Sequence, residues 1–541
     1  MLKDNSTVSS PVGRHPRSQQ STESSSKAFF VMECRCICLC IAFTAIMFPI
    51  PVETGNILIL VFPLWSHVKP TLNVATSLAN KYGHHSTLIL SKEFANKVKE
   101  DSTTSVIVPA VYKNFSVHGI AKDSIEDACN RKMSPYFKGI TIVNNVCHAL
   151  LSDEALFTVL QQQDFDLALI DNVMIADCFT VLAYKLGIPY VQLGGMHIPV
   201  RTRIPFMPSV HPAFALLGFF DEMSFIQRVV NTLFSVVMAV SPQVVFPTDL
   251  VATYVPEKPF VPLEVLHRRT AFHLVDMDFV LDFPRPLMPN VAFVGGVGTE
   301  KPKPLPSDLN SYMDSATNGV IVASFGSIAN SLPASRMEIL ISVFRKFKNV
   351  KFVLRYGNET KEDGNILLMP WLPQNDLLGH PNTKAFITHC GISGLYEGLC
   401  NAVPMIGLPF MTDGFYNCRK MAFKGFGISY DFCIFTDLEL SNAIQEILDN
   451  PKYSVKIKKA SDIFHGQQGT PSERSAYWID HVIQHGGDYL QTPATDMPLY
   501  KYYLLDVLLF ITLVTFLSIW CCVRSIRACC RCCCRPKIKV D

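Results

Sequence analysis

A single segment, residues 369–417, gathers most of the side chains that can bind a nucleotide. A predicted strand ends at Thr388, and His389 and Gly391 then open a predicted helix. The free N–H groups at a helix N-terminus bind anionic phosphate, and glycine lets the backbone approach it closely. About one turn further on, the carboxylate of Glu397 can accept hydrogen bonds from ribose hydroxyls. The segment therefore indicates a site for a nucleoside phosphate.

Two shorter motifs carry groups of the same kind. The run 371–374 offers the flat ring of Trp371 and the amide of Gln374, which suit stacking on a base and pairing with it. The run 324–327 is a second predicted strand-to-glycine turn that ends at Ser327 and can also bind phosphate.

An alternation of strands and helices must position these residues. Apolar runs predict buried strands at 56–62, 86–90, 167–170 and 187–192, a loop at 63–69, and helices at 70–81 and 176–186. A second series of strands is predicted at 319–324, 352–355, 385–388 and 404–408. The Pro/Lys stretch 301–306 between the series is typical of an exposed linker. The predicted fold class is therefore α/β, with two Rossmann-like domains facing a cleft and ligands at the carboxyl ends of the strands.

Composition excludes two classes of protein. Of the 541 residues, 49% are hydrophobic and only 17% are charged, whereas disordered chains are poor in apolar residues. The formal net charge is only +2, so a dedicated nucleic-acid binder is excluded and no nucleic-acid partner is expected. The chain has more apolar residues than a soluble enzyme needs, and its mean hydropathy is accordingly positive, at +0.23.

The two ends account for much of that surplus. Residues 1–31 are predicted to be a disordered extension and residues 32–54 a signal peptide, with an uncleaved anchor as the rival interpretation. Whether Met1 or Met32 is the working start is left open. Residues 504–523 are long and apolar enough to cross a bilayer, and the arginines and lysines of the tail 524–541 place it in the cytosol. The predicted body comprises an N-terminal domain at 55–300, a linker at 301–318 and a C-terminal domain at 319–490.

Three further features concern location. The last five residues fit Lys-x-Lys-x-x, which resembles a dilysine signal for retrieval to the endoplasmic reticulum, and sequons at Asn114 and Asn358 fit a lumenal body. Seven of the 18 cysteines lie between Cys521 and Cys534, at the end of the span and in the tail, and are candidates for palmitoylation, with a metal site as the rival interpretation. Seven more are spread through the body, too sparsely for a disulfide scaffold.

The apolar stretch 213–240 is predicted to cap an acceptor pocket, to lie on the membrane, or to form ordinary core helices.

The segment 369–417 resembles the signature of the UDP-glycosyltransferases, particularly the membrane-bound UDP-glucuronosyltransferases of animals. The resemblance extends to the stretches 281–286 and 291–296 and to the tail, and covers roughly residues 56–540. It implies the GT-B fold, an N-terminal half for a small lipophilic acceptor and a C-terminal half for a UDP-sugar. It also implies an inverting reaction without a metal or bound cofactor, with UDP-glucuronic acid or UDP-glucose as co-substrate. The resemblance leaves open whether the protein forms homo-oligomers or hetero-oligomers.

The resemblance also implies roles for individual residues. Trp371 would stack on uracil beside Gln374, and Glu397 would hold the ribose. The remaining predicted donor-binding residues, at the diphosphate and the sugar, are Ser327, His389, Gly391, Gly394, Asp413 and Asn417.

The catalytic base is expected in the other half. The resemblance places it at His67, just past the first strand, and its partner carboxylate at Asp171, at the end of a later strand. A neutral imidazole can take the proton that an alcohol loses as it attacks the anomeric carbon. The carboxylate would fix the tautomer and stabilise the imidazolium.

Two positions depart from the family pattern. Gly414 stands where the family has a glutamine that hydrogen-bonds sugar hydroxyls, and losing such contacts costs about 1–3 kcal/mol. The identity of the donor sugar is therefore open, and the alternative function is a catalytically weak or silent relative that binds lipophilic ligands or partners at the membrane. Cys390 replaces a small Gly or Ser and is interpreted as a small buried residue, not a nucleophile.

Overall fold

The computed structural model describes residues 54–113, 125–127, 129, 134–173, 175–195, 199–213, 219–240, 249–326, 331–410 and 413–533. The predictions for the extension 1–31, for residues 32–53 of the signal peptide, for Ser327, for the Asn114 sequon and for the tail beyond residue 533 lie outside these residues.

The N-terminal half is built on a parallel sheet that is covered on both faces. Its described strands are β1 Asn56–Leu60, β2 His85–Ile89, β3 Thr104–Ile107, β4 Leu167–Asp171, β5 Tyr190–Gly194, β6 Phe272–Val275 and β7 Val291–Phe293, in the order β3-β2-β1-β4-β5-β6-β7. Leu58 and Leu60 join one buried cluster, and Ile57 and Ile59 join another. A continuous apolar run forms a strand here because successive side chains enter cores on opposite faces.

The helices of this half begin with α1, which corrects one prediction. They are α1 Trp65–Tyr82, α2 Lys92–Ala95, α3 Ser134–Leu151, α4 Glu154–Gln161, α5 Ala176–Leu186, α6 Pro199–Thr202, α7 Phe225–Val240, α8 Leu250–Tyr254 and α9 Leu263–Arg268. The predicted loop at 63–69 is wrong, because α1 starts at Trp65 and contains Pro70. So close to the start of the helix, Pro70 removes only the hydrogen bond that its N–H would give to the carbonyl of Ser66. His67 therefore lies on a helical turn.

The C-terminal half repeats the architecture. Its described strands are β8 Val320–Ser324, β9 Lys351–Arg355, β10 Lys361–Asp363, β11 Ile366–Met369, β12 Thr383–Thr388, β13 Met405–Gly407 and β14 Gly427–Ser429, in the order β10-β11-β9-β8-β12-β13-β14, with only β10 antiparallel. Its helices are α10 Ser307–Asp314, α11 Ala334–Lys346, α12 Gln374–Leu378, α13 Ile392–Cys400, α14 Gly414–Phe423, α15 Asp437–Asp449 and α16 Lys452–His465. The two series of strands predicted from the sequence are confirmed.

One late helix, α17 Pro471–His485, packs on the N-terminal half. Its residues Ala476, Ile479 and Val482 enter the same buried cluster as Ile57, and Asp480 lies 3.1 Å from Nε2 of the buried His84. The range 319–490 for the C-terminal domain stays a prediction. The last helix in that range, α17, packs against the sheet of the N-terminal half. The apolar face of α17 suits either core, so its sequence does not identify the partner.

The chain ends in a long apolar helix. Short 3-10 turns at Ala110–Tyr112, Asp488–Leu490 and Pro493–Thr495 and the helices α18 Leu499–Tyr502 and α19 Leu505–Cys533 complete the described elements. Among the described residues, α19 is the one helix long and apolar enough to cross a membrane, and none of its most apolar stretch is buried.

Six body cysteines form disulfides, which the sequence reasoning missed. The pairs are Cys129–Cys433, Cys147–Cys178 and Cys390–Cys418, with Cα–Cα distances of 5.0, 5.6 and 5.3 Å. The first pair spans 304 residues and links the two halves. Sparse spacing argued against a disulfide scaffold, but a large domain can bring distant cysteines together with no local sequence signal.

Candidate active site

Two neighbouring strands bring His67 and Asp171 together. β1 pairs with β4, so the first turn of α1 after β1 meets Asp171 at the end of β4. Nδ1 of His67 lies 3.0 Å from Oδ2 of Asp171, and the backbone N–H of Phe62 donates to the same carboxylate oxygen at 3.1 Å. The carboxylate is buried, whereas the His67 side chain is 31% exposed. The imidazole is thus held at one nitrogen and remains accessible.

The pKa of His67 is raised above its ordinary value of 6.5. Burial acts to lower the pKa, but the charge and the hydrogen bond of Asp171 outweigh it because they favour the imidazolium. Asp413 and Asp276 act in the same direction. The structure therefore stabilises a protonated His67.

Asp276 is a second carboxyl group near His67 that the sequence reasoning missed. It directly follows β6, and its Oδ1 accepts a hydrogen bond from the N–H of Gly296 at 2.8 Å. Burial raises the pKa of Asp276 to about 6, although backbone N–H groups oppose the shift. Its position at the carboxyl end of a strand was the signal that could have identified it.

The facing edge is built around His389, which directly follows β12. Desolvation lowers the pKa of His389 to about 4, with Asp413 and a hydrogen bond to the Ser324 backbone opposing the shift. Its Nδ1 is buried and has no hydrogen-bond partner among the described residues. At neutral pH this ring is therefore uncharged.

The glycines beside His389 make room for its ring. A Cβ on Gly391 would lie 2.6 Å from Nε2 of His389, and a Cβ on Gly326 would lie 2.9 Å from Cε1. Gly326 also has φ +72°, a backbone conformation that favours glycine. At Gly394 a Cβ would meet only ordinary contacts, the nearest being Oγ1 of Thr388 at 3.4 Å. Gly326 and Gly391 are therefore required sterically, whereas Gly394 is not.

Glu397 contacts one expected group, Gln374, and one that the sequence did not suggest, Lys69. Its Oε2 accepts a hydrogen bond from Nε2 of Gln374 at 2.5 Å, and Nζ of Lys69 lies 3.5 Å from Oε1. Burial raises the pKa of Glu397, against the opposing effects of Lys69 and Gln374. Lys69 lies on α1, two residues after His67, so this ion pair bridges the cleft. The sequence signal that could have identified Lys69 as a site residue was its positive charge two positions after His67.

Trp371 presents a half-exposed ring at the same edge. Half of its surface is accessible, and the guanidinium of Arg355 lies 4.5 Å from its ring centroid. An indole in this position can stack on a planar ligand.

Asp413, the residue just before α14, contacts Asn417 in the first turns of that helix. Nδ2 of Asn417 donates to Oδ2 of Asp413 at 2.9 Å and to the carbonyl of Cys390 at 3.2 Å. The Cys390–Cys418 disulfide joins the His389 turn to the same helix. Cys390 is buried and is also a partner in a cross-link, which the sequence reasoning missed. Cys390 has φ +63°, so the turn is held in a conformation unusual for a residue with a Cβ.

The departure at Gly414 has a local explanation. A Cβ at Gly414 would lie 2.8 Å from the carbonyl oxygen of His389. A glutamine here would therefore require the neighbouring turn to shift.

The described residues predicted for the site thus form two facing groups. His67 and Asp171 lie on the N-terminal edge, the described residues predicted to bind the donor lie on the C-terminal edge, and Lys69 contacts Glu397 between them. Among the described residues, no group of three or more His, Cys, Asp or Glu side chains could hold a metal ion. No residue is assigned to a metal, and the metal-free reaction stays a prediction.

Comparison with known proteins identifies the family. The family model described as "UDP-glucoronosyl and UDP-glucosyl transferase" matches residues 61–540. Human UDP-glucuronosyltransferase 1A4 is 30% identical over 517 residues, covering 89% of this chain and 96% of the relative. Mouse UDP-glucuronosyltransferase 1-2 is 33% identical over 450 residues, covering 81% and 83%.

Solved structures agree on the fold. The calicheamicin glycosyltransferase CalG4 has a TM-score of 0.55 at 18% identity, covering 80% of this chain and 99% of its own. A variant of Os79 from O. sativa in complex with UDP has a TM-score of 0.54 at 14% identity, covering 79% and 100%. These neighbours share the two-domain GT-B architecture. The chain belongs to the UDP-glucuronosyl and UDP-glucosyl transferase family, as a glucuronosyltransferase-like enzyme that transfers sugar from a UDP-sugar to an acceptor.

Proposed function

We propose that this enzyme inverts the anomeric centre as it moves glucuronic acid or glucose from UDP to a small lipophilic acceptor, with His67 as the general base. The observation that carries the proposal is the 3.0 Å contact between Nδ1 of His67 and Asp171 at the edge of the cleft. Nε2, on the opposite side of the ring, is then the nitrogen that can accept a proton.

In this mechanism, Nε2 of His67 takes the hydroxyl proton of the acceptor as its oxygen attacks the anomeric carbon. The bond from that carbon to the diphosphate oxygen breaks, and UDP leaves from the opposite face. A single displacement of this kind inverts the configuration. Asp171 keeps the proton on Nδ1 before the reaction and stabilises the imidazolium that forms.

The donor would lie along the C-terminal edge. Trp371 would stack on uracil and Glu397 would accept hydrogen bonds from the ribose. His389 would bind the diphosphate as a neutral hydrogen-bond donor, because its low pKa prevents it from carrying a charge. The remaining proposed contacts with the diphosphate and the sugar are Gln374, Gly391, Gly394, Asp413, Asn417 and Ser327.

The exposed face of α7 supports a lipophilic acceptor. Its apolar side chains recur at helical spacing on one face, and those that are exposed are Phe225, Ile226, Val229, Val230, Leu233, Val236 and Val237. Arg203, just after α6, donates to the carbonyls of Ala494 and Met497, near the start of α19. Because α6 packs on α7, these bonds connect α7 to the segment before the span, where molecules dissolved in a bilayer would reach the protein.

The cysteines support a lumenal body on a type I membrane protein. Six body cysteines are paired, which is typical of an oxidising compartment, whereas the described tail cysteines are free. Arg524, Arg527 and Arg531 follow the span, as expected on the cytosolic side. The Lys537–Lys539 motif would retain the protein in the endoplasmic reticulum, and the exposed Asn358 would carry a glycan.

The function is tested with membranes that contain the full-length protein. They are given labelled UDP-glucuronic acid, UDP-glucose or UDP-N-acetylglucosamine with phenolic acceptors, and the products are examined by NMR. We expect transfer from one of the first two donors, with a β-linked product from the α-linked donor. An α-linked product would refute the single displacement.

The alternative, a silent relative, is favoured only by Gly414. Measurable UDP binding without transfer from any donor would support that alternative. A His67→Ala variant assayed in parallel shows whether any transfer depends on the proposed base.

A further inference from the structure

The terminal helix is longer than a bilayer requires. α19 has 29 residues, which at 1.5 Å per residue gives about 44 Å, against roughly 30 Å of hydrocarbon. The apolar stretch ends near Val523, and the helix continues without interruption to Cys533. About three turns of regular helix therefore extend past the span.

These turns have two chemically distinct faces. Six described cysteines are free and exposed, two in the last turn of the apolar stretch and four past it: Cys521, Cys522, Cys529, Cys530, Cys532 and Cys533. At about 100° per residue, all six fall within roughly half of the helix circumference. Arg524, Arg527 and Arg531 fall within a sector of about 60° centred on the opposite side. We call the first surface the cysteine face.

We propose that the cysteine face is a site of multiple S-acylation by long-chain fatty acids. The inference rests on the cytosolic placement of the tail in the proposed topology. Each thiolate would attack the carbonyl carbon of a fatty acyl-coenzyme A. The bond from that carbon to the coenzyme A sulfur breaks, and coenzyme A leaves as the thiol with the cysteine proton. No oxidant or reductant is consumed.

The arrangement of the thiols favours acylation over the other reactions of clustered cysteines. The cytosol keeps thiols reduced, so the six cysteines would remain available as nucleophiles. No group of three or more metal-ligating side chains is found among the described residues, which disfavours a preformed metal site. Because the thiols begin at the end of the span, chains attached to them can re-enter the adjacent leaflet. The arginines on the other side would stay with the head groups.

The test uses the full-length protein from animal-cell membranes. Free thiols are blocked with N-ethylmaleimide, thioesters are cleaved with neutral hydroxylamine, and the released thiols are tagged with a polyethylene glycol maleimide. We expect several mass steps that require hydroxylamine. They should disappear when all seven tail cysteines, including Cys534, are changed to serine. The matched control is Cys400→Ser, which removes a free body thiol and should keep every step.

Two results would overturn the proposal: tail thiols that react fully before hydroxylamine, or thiols blocked in a form that hydroxylamine does not release. Transferase activity is measured on the same membranes, so that loss of the sugar transfer and loss of acylation are recorded separately. Maleimide access in sealed vesicles shows which side of the membrane the tail occupies. A lumenal tail would therefore be recognised as a failure of the topology and would also overturn the proposal.

Discussion

The two edges of the cleft each carry a histidine, and the two imidazoles differ in electrostatics. Burial acts to lower the pKa of both. At His67 a directly bonded carboxylate reverses the shift, whereas at His389 the pKa falls to about 4. Neighbouring carboxylates, above all the directly bonded Asp171, thus separate an imidazole suited to hold a proton from one that stays neutral. In the proposed mechanism, the same residue type therefore serves as a base on the N-terminal edge and as a neutral donor of hydrogen bonds on the C-terminal edge.

The largest expected loss of activity follows a change on the N-terminal edge. His67→Ala removes the proposed base, so kcat should fall by about 10²- to 10⁴-fold, with the Kd for UDP unchanged. Steady-state kinetics and calorimetry measure the two quantities. His85→Ala, which changes an exposed histidine away from the cleft, is the control and should behave as the wild type. If kcat for His67→Ala stayed within threefold of wild type, His67 would not be the base and the two histidines would not differ in role as proposed.

His389→Ala should act mainly on donor binding. Loss of a hydrogen bond to a charged diphosphate is expected to raise the KM for the UDP-sugar by about 10- to 100-fold. His84→Ala, which empties a buried histidine site beside Asp480, controls for general destabilisation and should leave KM unchanged. If His389→Ala lowered kcat alone and left UDP affinity intact, the assignment of this ring to the donor would be wrong.

Lys69 tests whether the two edges act on one ligand. Lys69→Met removes the cation 3.5 Å from Glu397, and a partly exposed pair of this kind contributes little, so KM should rise by about two- to fivefold. Lys69→Arg keeps the charge and should retain most of the affinity. A fall in KM for the Met variant would instead mean that Lys69 competes with the ribose for Glu397.

The smallest expected effect is at Gly414. Gly414→Ala introduces the close contact with the His389 carbonyl and should lower kcat/KM by about threefold. Gly414→Gln makes the same contact but adds an amide that can bind sugar hydroxyls, so it should exceed the alanine variant with UDP-glucose or UDP-glucuronic acid. Equal values for the two variants would show that this position does not contact the sugar.

Local sequence predicted eight of the fourteen described strands and the strand-to-helix turn at His389, because each depends on short-range patterns. Continuous apolar runs at β1, β4 and β8 mark strands covered on both faces, and Gly391 follows a strand end in the sequence itself. The start of α1 was missed, because a proline near the N-terminus of a helix costs a single hydrogen bond.

Features that depend on distant residues were not predictable in the same way. The Cys129–Cys433 disulfide, the docking of α17 on the N-terminal sheet and the Lys69–Glu397 contact each join positions more than 300 residues apart. No local pattern specifies such pairs. The pKa contrast between His67 and His389 also follows from tertiary surroundings, since both residues simply follow a strand in the sequence.

The pH dependence of kcat/KM, which reports groups of the free enzyme, tests the central assignment most directly when it is measured for the wild type and for Asp171→Asn. The imidazole of His67 must be neutral to accept a proton, so activity should be lost as the pH falls through its pKa. Because Asp171 raises that pKa, the wild-type acid limb should lie above pH 6.5. In Asp171→Asn, burial persists without the carboxylate charge, so the limb should move to lower pH and the plateau should fall. An acid limb at the same pH in both proteins would contradict the assignment of His67 and Asp171 as a catalytic pair.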